Sequence, residues 1–181
     1  MTVRDKHLPA SSRNDFRYYN PQAAVEGALP GDAARPLTFE NSLMFKSAYE
    51  RVGGIVWIPR MLEKIRMNAK NELPEEFVPY LGKGFDGRCV SFLGVEYDEL
   101  VSRTLEGGND EEIFAWILSR GRRPSADEIL IWNDFMSKRG WRDSDHDEEG
   151  FEAYKKKYDL GHRSDILTFF DFYEVDEGRK P

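Results

Sequence analysis

Apolar and polar positions along the chain repeat at helical spacing, most clearly in the block Gly53-Gly54-Ile55-Val56-Trp57-Ile58-Pro59-Arg60-Met61-Leu62-Glu63-Lys64-Ile65-Arg66. Pro59 has no backbone donor and a fixed φ. It is tolerated in a first helical turn and costs about 3 kcal/mol or more deeper in a helix, so the spacing predicts a helix starting near Ile58. Ile58, Leu62, Ile65 and Ala69 recur at intervals of four, three and four, which is one helix face and the expected core face. Arg60 and Lys64 lie on another face, with Glu63 three residues from both Arg60 and Arg66, close enough for ion pairs along the helix. Two readings of that second face stay open: a self-paired surface in water, or a face that binds an anion or a partner. Trp57, just before the helix, is expected to be a core or lid aromatic.

Residues 1–40 are broken by Pro9, Pro21, Pro30 and Pro36 and carry no sustained apolar period. They read as an extended or disordered arm, with Phe16, Arg17, Tyr18 and Tyr19 as its anchor onto its own domain or a neighbouring subunit. Residues 41–181 are expected to form a single helical domain. Pro74 and Pro79 mark an irregular connection; Phe85 to Leu93 reads as a helix closed by Gly94, and Tyr97 to Leu105 as another closed by Gly107. Asn109 with Glu112, and Ser125 with Glu128, have capping-box spacing. They open two helices with the same grammar, carrying Ile113, Phe114, Trp116 and Ile117 up to Gly121, and Ile129, Leu130, Trp132, Phe135 and Met136 up to Gly140. Phe151 to Tyr158 is a Lys-rich helix, and Asp165 to Phe172 a last apolar one capped by Ser164 or Asp165. Nothing alternates at period two, so the fold class is all-α: a compact multi-helix domain with an extended N-terminal arm.

Composition narrows the function. A chain of 181 residues with 40% hydrophobic content suits one full core. The net charge of -7 argues against a nucleic-acid binder, which presents a basic field to phosphates. No apolar run approaches the roughly 18 residues that span a bilayer, and no signal-peptide core is apparent, so a soluble, cytoplasmic protein without membrane contact is expected. Cys89 is the single cysteine, which rules out an intrachain disulfide and a cysteine-rich metal site.

No constellation amounts to a complete catalytic, metal or nucleotide motif. Gly82-Lys83-Gly84-Phe85-Asp86-Gly87 matches the dinucleotide fingerprint in letters but lacks the βαβ setting it requires. A weaker claim survives, that Lys83, Arg88 and the amides opening the Phe85 helix hold an anion. Asp145, Asp147, Glu149 and Gly150 copy the first half of a calcium loop, but Lys156 stands where a bidentate glutamate is required. Arg120, Arg122 and Arg123 are separated from Lys138, Arg139 and Arg142 by a helix about 20 Å long and do not form one patch. Of His7, His146 and His162, only His162 adjoins an apolar helix; a Cys89–His162 pair is the one nucleophile and base to weigh, against a packed thiol. Asp171 lies among aromatics and needs a cation, for which Arg60 or Lys64 is the expected partner.

The block from Gly53 to Arg66, then Asp86 and Arg88 before Phe92-Leu93-Gly94, then Arg163, Asp165, Phe170-Asp171 and Asp176-Glu177-Gly178-Arg179, together resemble a bacterial family known only as a domain of unknown function, numbered five-zero-six-nine. The resemblance covers roughly Ala48 to Arg179. It brings no activity with it, and it implies a cysteine in relatives where Lys83 stands here. The candidate ligand-binding residues are therefore Trp57, Arg60, Lys64, Asp86, Arg88, His162, Asp165 and Asp171, with no metal or cofactor expected. The leading reading is a non-catalytic binding or assembly module with a mixed-charge pocket for a small anionic ligand, and a homodimer formed through the arm. The alternative is a small-molecule enzyme in which Arg60, Lys64 and Arg88 hold an anionic substrate while Asp165 or Asp171 moves a proton.

Overall fold

Pro59 falls in the first turn of helix α1 (Ile58–Ala69), where its missing N–H costs nothing. Ile58, Met61, Leu62 and Ile65 are buried; Ala69 is exposed, so the core face ends a turn earlier than its spacing suggests. The computed structural model describes residues 45–143 and 148–181. The arm with His7 and the Phe16–Tyr19 cluster, and Asp145, His146 and Asp147 of the acidic loop, lie outside the described residues, as does the Glu149 side chain.

The chain enters α1 through a short antiparallel hairpin, β1 (Arg51–Val52) and β2 (Ile55–Val56), pairing Arg51 with Val56 and Val52 with Ile55. The all-α class holds, and this hairpin is the one sheet among the described residues. Four strand residues are too few to display a period of two, yet Gly53-Gly54 was a hairpin signal: their φ values of +57° and +80° are the paired positive dihedrals of a type I′ turn. Asn133 clamps the hairpin, accepting from Val56 N at 3.1 Å and donating to Gly54 O at 2.8 Å.

The rest of the predicted grammar is observed with few changes. Helices α2 (Phe85–Leu93), α3 (Tyr97–Leu105), α4 (Asp110–Arg120) and α5 (Ala126–Ser137) follow in order, and both capping boxes are formed in full. A 3-10 helix, Glu75–Tyr80, fills the connection marked by Pro74 and Pro79. Helix α6 (Glu148–Lys157) starts before Phe151. The last helix, α7 (Phe169–Asp176), starts four residues later than expected because Thr168, not Ser164 or Asp165, accepts the capping hydrogen bond, from Asp171 N at 3.1 Å. Asp165 is instead gripped by Arg163 through two contacts of 2.7 and 2.8 Å.

The main core surrounds α1: α3 packs along it, the hairpin sits between it and α5, and β1 also meets α4. A second apolar cluster gathers Phe151, Ile166 and Phe172 with Tyr154 and Tyr158. Aromatic contacts from Trp57 to Phe170 and Tyr173, and from Tyr173 to Phe172, join the two.

A Cβ at Gly53 would lie 1.8 Å from Phe114 Cε1, whereas one at Gly54 would meet only Ile129 Cγ2, at 3.8 Å. Both positions have positive φ, so both Gly→Ala changes strain the backbone. Gly53→Ala is expected to destabilise by at least about 1 kcal/mol more than Gly54→Ala, the overpacking increment, as measured by urea denaturation.

Candidate functional site: a buried charge network and the cleft beside it

Arg60 and Lys64 are one turn apart on α1 and expose only 1% and 6% of their surface. Neither expected reading of this face holds, because these cations are neither self-paired in water nor open to a ligand. Each is met by a carboxylate from elsewhere in the chain. Lys64 Nζ donates to both Asp86 oxygens, at 2.8 and 2.9 Å, and Trp57 Nε1 donates to the same carboxylate at 2.8 Å. Burial lowers the Lys64 pKa, and Asp86 opposes that shift. Arg60 forms a two-pronged pair with Glu177 and donates to Lys46 O at 3.1 Å. Its guanidinium lies 4.8, 5.5 and 5.0 Å from the ring centres of Phe45, Trp57 and Tyr173, a cation–π box that suits the weakly hydrated guanidinium.

The network continues to the end of the chain. Arg179 bridges Glu177 and Glu174 and donates to Phe45 O at 2.7 Å, and Glu174 accepts from Ser47 Oγ at 2.6 Å. Asp176, next to Glu177, has a buried Oδ1 with no hydrogen-bond partner among the described residues. Burial first, then the charge of Glu177, pushes its carboxyl up to about 6, while Arg60 pulls the other way.

Trp57, Arg60, Lys64 and Asp86 are therefore brought together, and the other four expected residues are not. Asp171 does not pair with Arg60 or Lys64, which corrects that expectation. Its carboxylate accepts from Thr168 Oγ1 at 2.9 Å and from Tyr49 Oη at 3.2 Å, and faces Lys180 at 3.4 Å. Burial and the Asp171 charge push the Tyr49 phenol up to about 12. Asp165 is exposed in its pair with Arg163, which holds its carboxyl down at about 2. Arg88, half-buried on α2, lies 5.6 Å from the Phe135 ring centre. His162 is exposed, whereas Cys89 is fully buried in the main core with its thiol pKa raised by burial, so the packed-thiol reading holds for Cys89. The glycine run aims its Gly82 amide at Asp86 Oδ2, 3.4 Å away. A carboxylate of the chain itself stands where an external anion was expected.

Sequence reasoning missed the open feature. A cleft of about 370 Å³ is lined by Lys46, Glu50, Arg51, Pro59, Arg66 and the start of α4 from Gly108 to Glu111. Asp110 accepts from Lys46 at 2.7 Å and from Arg66 at 2.7 Å, and both cations hold its carboxyl below the ordinary range against the effect of burial. Arg51 and Glu111 are exposed, and no side-chain ion pair or hydrogen bond engages either among the described residues. The signal for this site was faint: Arg66 belonged to the leading block, but only the fold brings Lys46 and Asp110 to it.

These features define a helical module whose buried Arg60 and Lys64 are each paired with a carboxylate of the chain, beside an outer cleft that carries exposed charges. The chain belongs to the family described as Domain of unknown function (DUF5069), whose model matches residues 43–179. No curated protein and no solved structure matches the chain. No helix among the described residues is long and apolar enough to cross a membrane.

Two outcomes follow. Lys64→Met leaves Asp86 buried and unpaired and should cost about 3–5 kcal/mol, and adding Asp86→Asn, which keeps an acceptor for Trp57, should recover much of that loss in chemical denaturation. A carboxyl whose pKa is raised in the fold ionises more readily in the unfolded chain, so Asp176 subtracts stability as pH rises from about 4 through about 6. Asp176→Asn should therefore raise Tm at pH 7 and flatten that part of the Tm profile.

Proposed function

We propose that this chain is a non-catalytic binding module whose mixed-charge cleft between the β1 hairpin, α1 and the start of α4 takes a small ligand with an anionic group. The carrying observation is the uncommitted guanidinium of Arg51 on a wall where Lys46 and Arg66 share the single carboxylate of Asp110. The positive end of the α4 dipole lies on the same wall and favours an anion there. Glu111 offers the opposite charge across the cleft, which suits a ligand that also bears an ammonium group. The same reading keeps a cytoplasmic protein and one helical domain from residue 41 onward.

The test is a thermal-shift panel of carboxylates, phosphates, nucleotides and amino acids on the full chain. A true ligand at about 100 times its Kd stabilises by about 2.7 kcal/mol. Arg51→Ala should abolish that shift while leaving the unliganded Tm unchanged, because Arg51 has no internal partner to lose. If no compound moves Tm, or if the shift survives in Arg51→Ala, the cleft is not the site.

An enzyme acting on an anionic substrate is the second reading, and one observation favours it. The carboxyl of Asp176, raised to about 6 beside Arg60 and Glu177, is the kind of group that moves protons near neutral pH. Turnover of a panel compound that is lost in Asp176→Asn would support this reading over simple binding.

A further inference from the structure

The outward face of α5 carries large exposed apolar side chains among Asp127, Asp134 and Lys138. Leu130 exposes 63% and Ile131 67% of its surface, flanked by Phe135 at 39% and by Trp141, just past the helix, at 48%. The opposite face of the helix is fully used: Trp132 and Met136 enter the main core and Asn133 holds the hairpin. Adjacent exposed branched side chains on a rigid helix make a contiguous apolar surface of the kind that marks an interaction site. No cleft or ion pair of the binding site lies on it.

Charge along the helix identifies what covers this face. Asp127 is in the first turn and Lys138 at the C-cap, with Arg142 beyond it. Asp127 has no side-chain partner among the described residues, and Lys138 reaches only Asp134, in an exposed pair one turn away at 2.7 Å. An acidic beginning and a basic end on one helical stripe complement the same stripe laid antiparallel, which also sets the two helix dipoles head to tail. In that register Asp127 of each copy lies beside Lys138 of the other, and Leu130 lies beside Phe135. A two-fold axis across the middle of the helix generates both contacts at once, as an isologous interface requires.

We infer that α5 is a self-association surface: a second copy of this chain packs its own α5 antiparallel against Leu130, Ile131 and Phe135, with Asp127–Lys138 pairs at both ends. The interface is independent of the cleft. A small interface of one helix pair gives a dimer that dissociates on dilution, and its register is fixed by the terminal charges.

Sedimentation equilibrium of the full chain from a few to roughly 200 micromolar, with circular dichroism to check the fold, tests this. The expected result is a monomer–dimer equilibrium for the native chain and at least a tenfold weaker dimer for Ile131→Glu at unchanged helicity. Asp127→Lys and Lys138→Glu should each weaken the dimer, and the combined variant should restore it, which a nonspecific apolar contact would not do. A native chain that stays monomeric throughout the range overturns the inference. So does a dimer indifferent to Ile131→Glu, which would pair through another surface such as the arm, and so does a monomer whose Tm drops on Ile131→Glu, because another segment of the same chain would then cover the face.

Discussion

Burying Arg60 and Lys64 on the central helix is the constraint on which the rest of the structure depends. Each charge left unpaired in a core would cost several kcal/mol, so α1 can be enclosed only if two carboxylates arrive with it. Asp86 comes from the first turn of α2, and Glu177 comes from just past α7 near the far end of the chain. The pairs need not make the fold more stable than an apolar core of the same volume would. Their consequence is a constraint on packing: arrangements of α2 or of the C-terminal segment that misplace either carboxylate strand a buried cation.

The same requirement explains why Trp57 is strained. It is the N-cap of α1 with φ +76°, a left-handed conformation that is unusual for a bulky residue and costs of order 1 kcal/mol or more. The chain must turn sharply from β2 into a helix whose second residue is Pro59, and the strained dihedral makes that turn. It is offset by what the indole gains there: a hydrogen bond to Asp86, ring contacts with Phe85 and Phe170 at 4.8 and 5.6 Å, and the Arg60 and Lys64 cations at 5.5 and 5.1 Å. Trp57 thus touches both ion pairs and ties the main core to the C-terminal aromatics. Arg179, which donates to Phe45 O and to Glu177, closes the clasp. Arg179 is the last residue of the family match, and Phe45 lies within the match near its start.

What could be read from the sequence was what is decided locally. Capping boxes at Asn109 and Ser125 and the left-handed stop at Gly94 involve groups within four residues of one another, so spacing alone announces them. The same local logic misplaced the start of α7, where Ser164, Asp165 and Thr168 compete for one cap and the decision rests on Arg163 taking Asp165 out of contention. The ion pairs were beyond reach for a different reason. Asp171 and Glu177 are both acids near the apolar end of the chain, six residues apart, and choosing the partner of Arg60 requires knowing how α7 turns its faces. Trp57, Arg60, Lys64 and Asp86, four of the eight candidate ligand-binding residues, do come together, but buried in the interior rather than around an open pocket. Burial of two cations that sit polar-side on a helical wheel is a tertiary fact that no periodicity reports.

That burial also limits which residues can meet a ligand. A side chain that satisfies a buried partner cannot be released to a ligand without exposing that partner to an apolar environment, so the most distinctive residues of the chain are its least available ones. Groups whose fold-level obligations are already met or absent remain free to meet an outside molecule. Arg51 and Glu111 at the cleft meet that condition, as does the outer stripe of α5, because in each case the same element turns its other side to the core and is held there independently. A substitution on the clasp should therefore be felt first as lost stability and only secondarily as lost binding. A substitution on the cleft wall or on the α5 stripe should do the reverse, and that separation makes the two surfaces experimentally addressable one at a time.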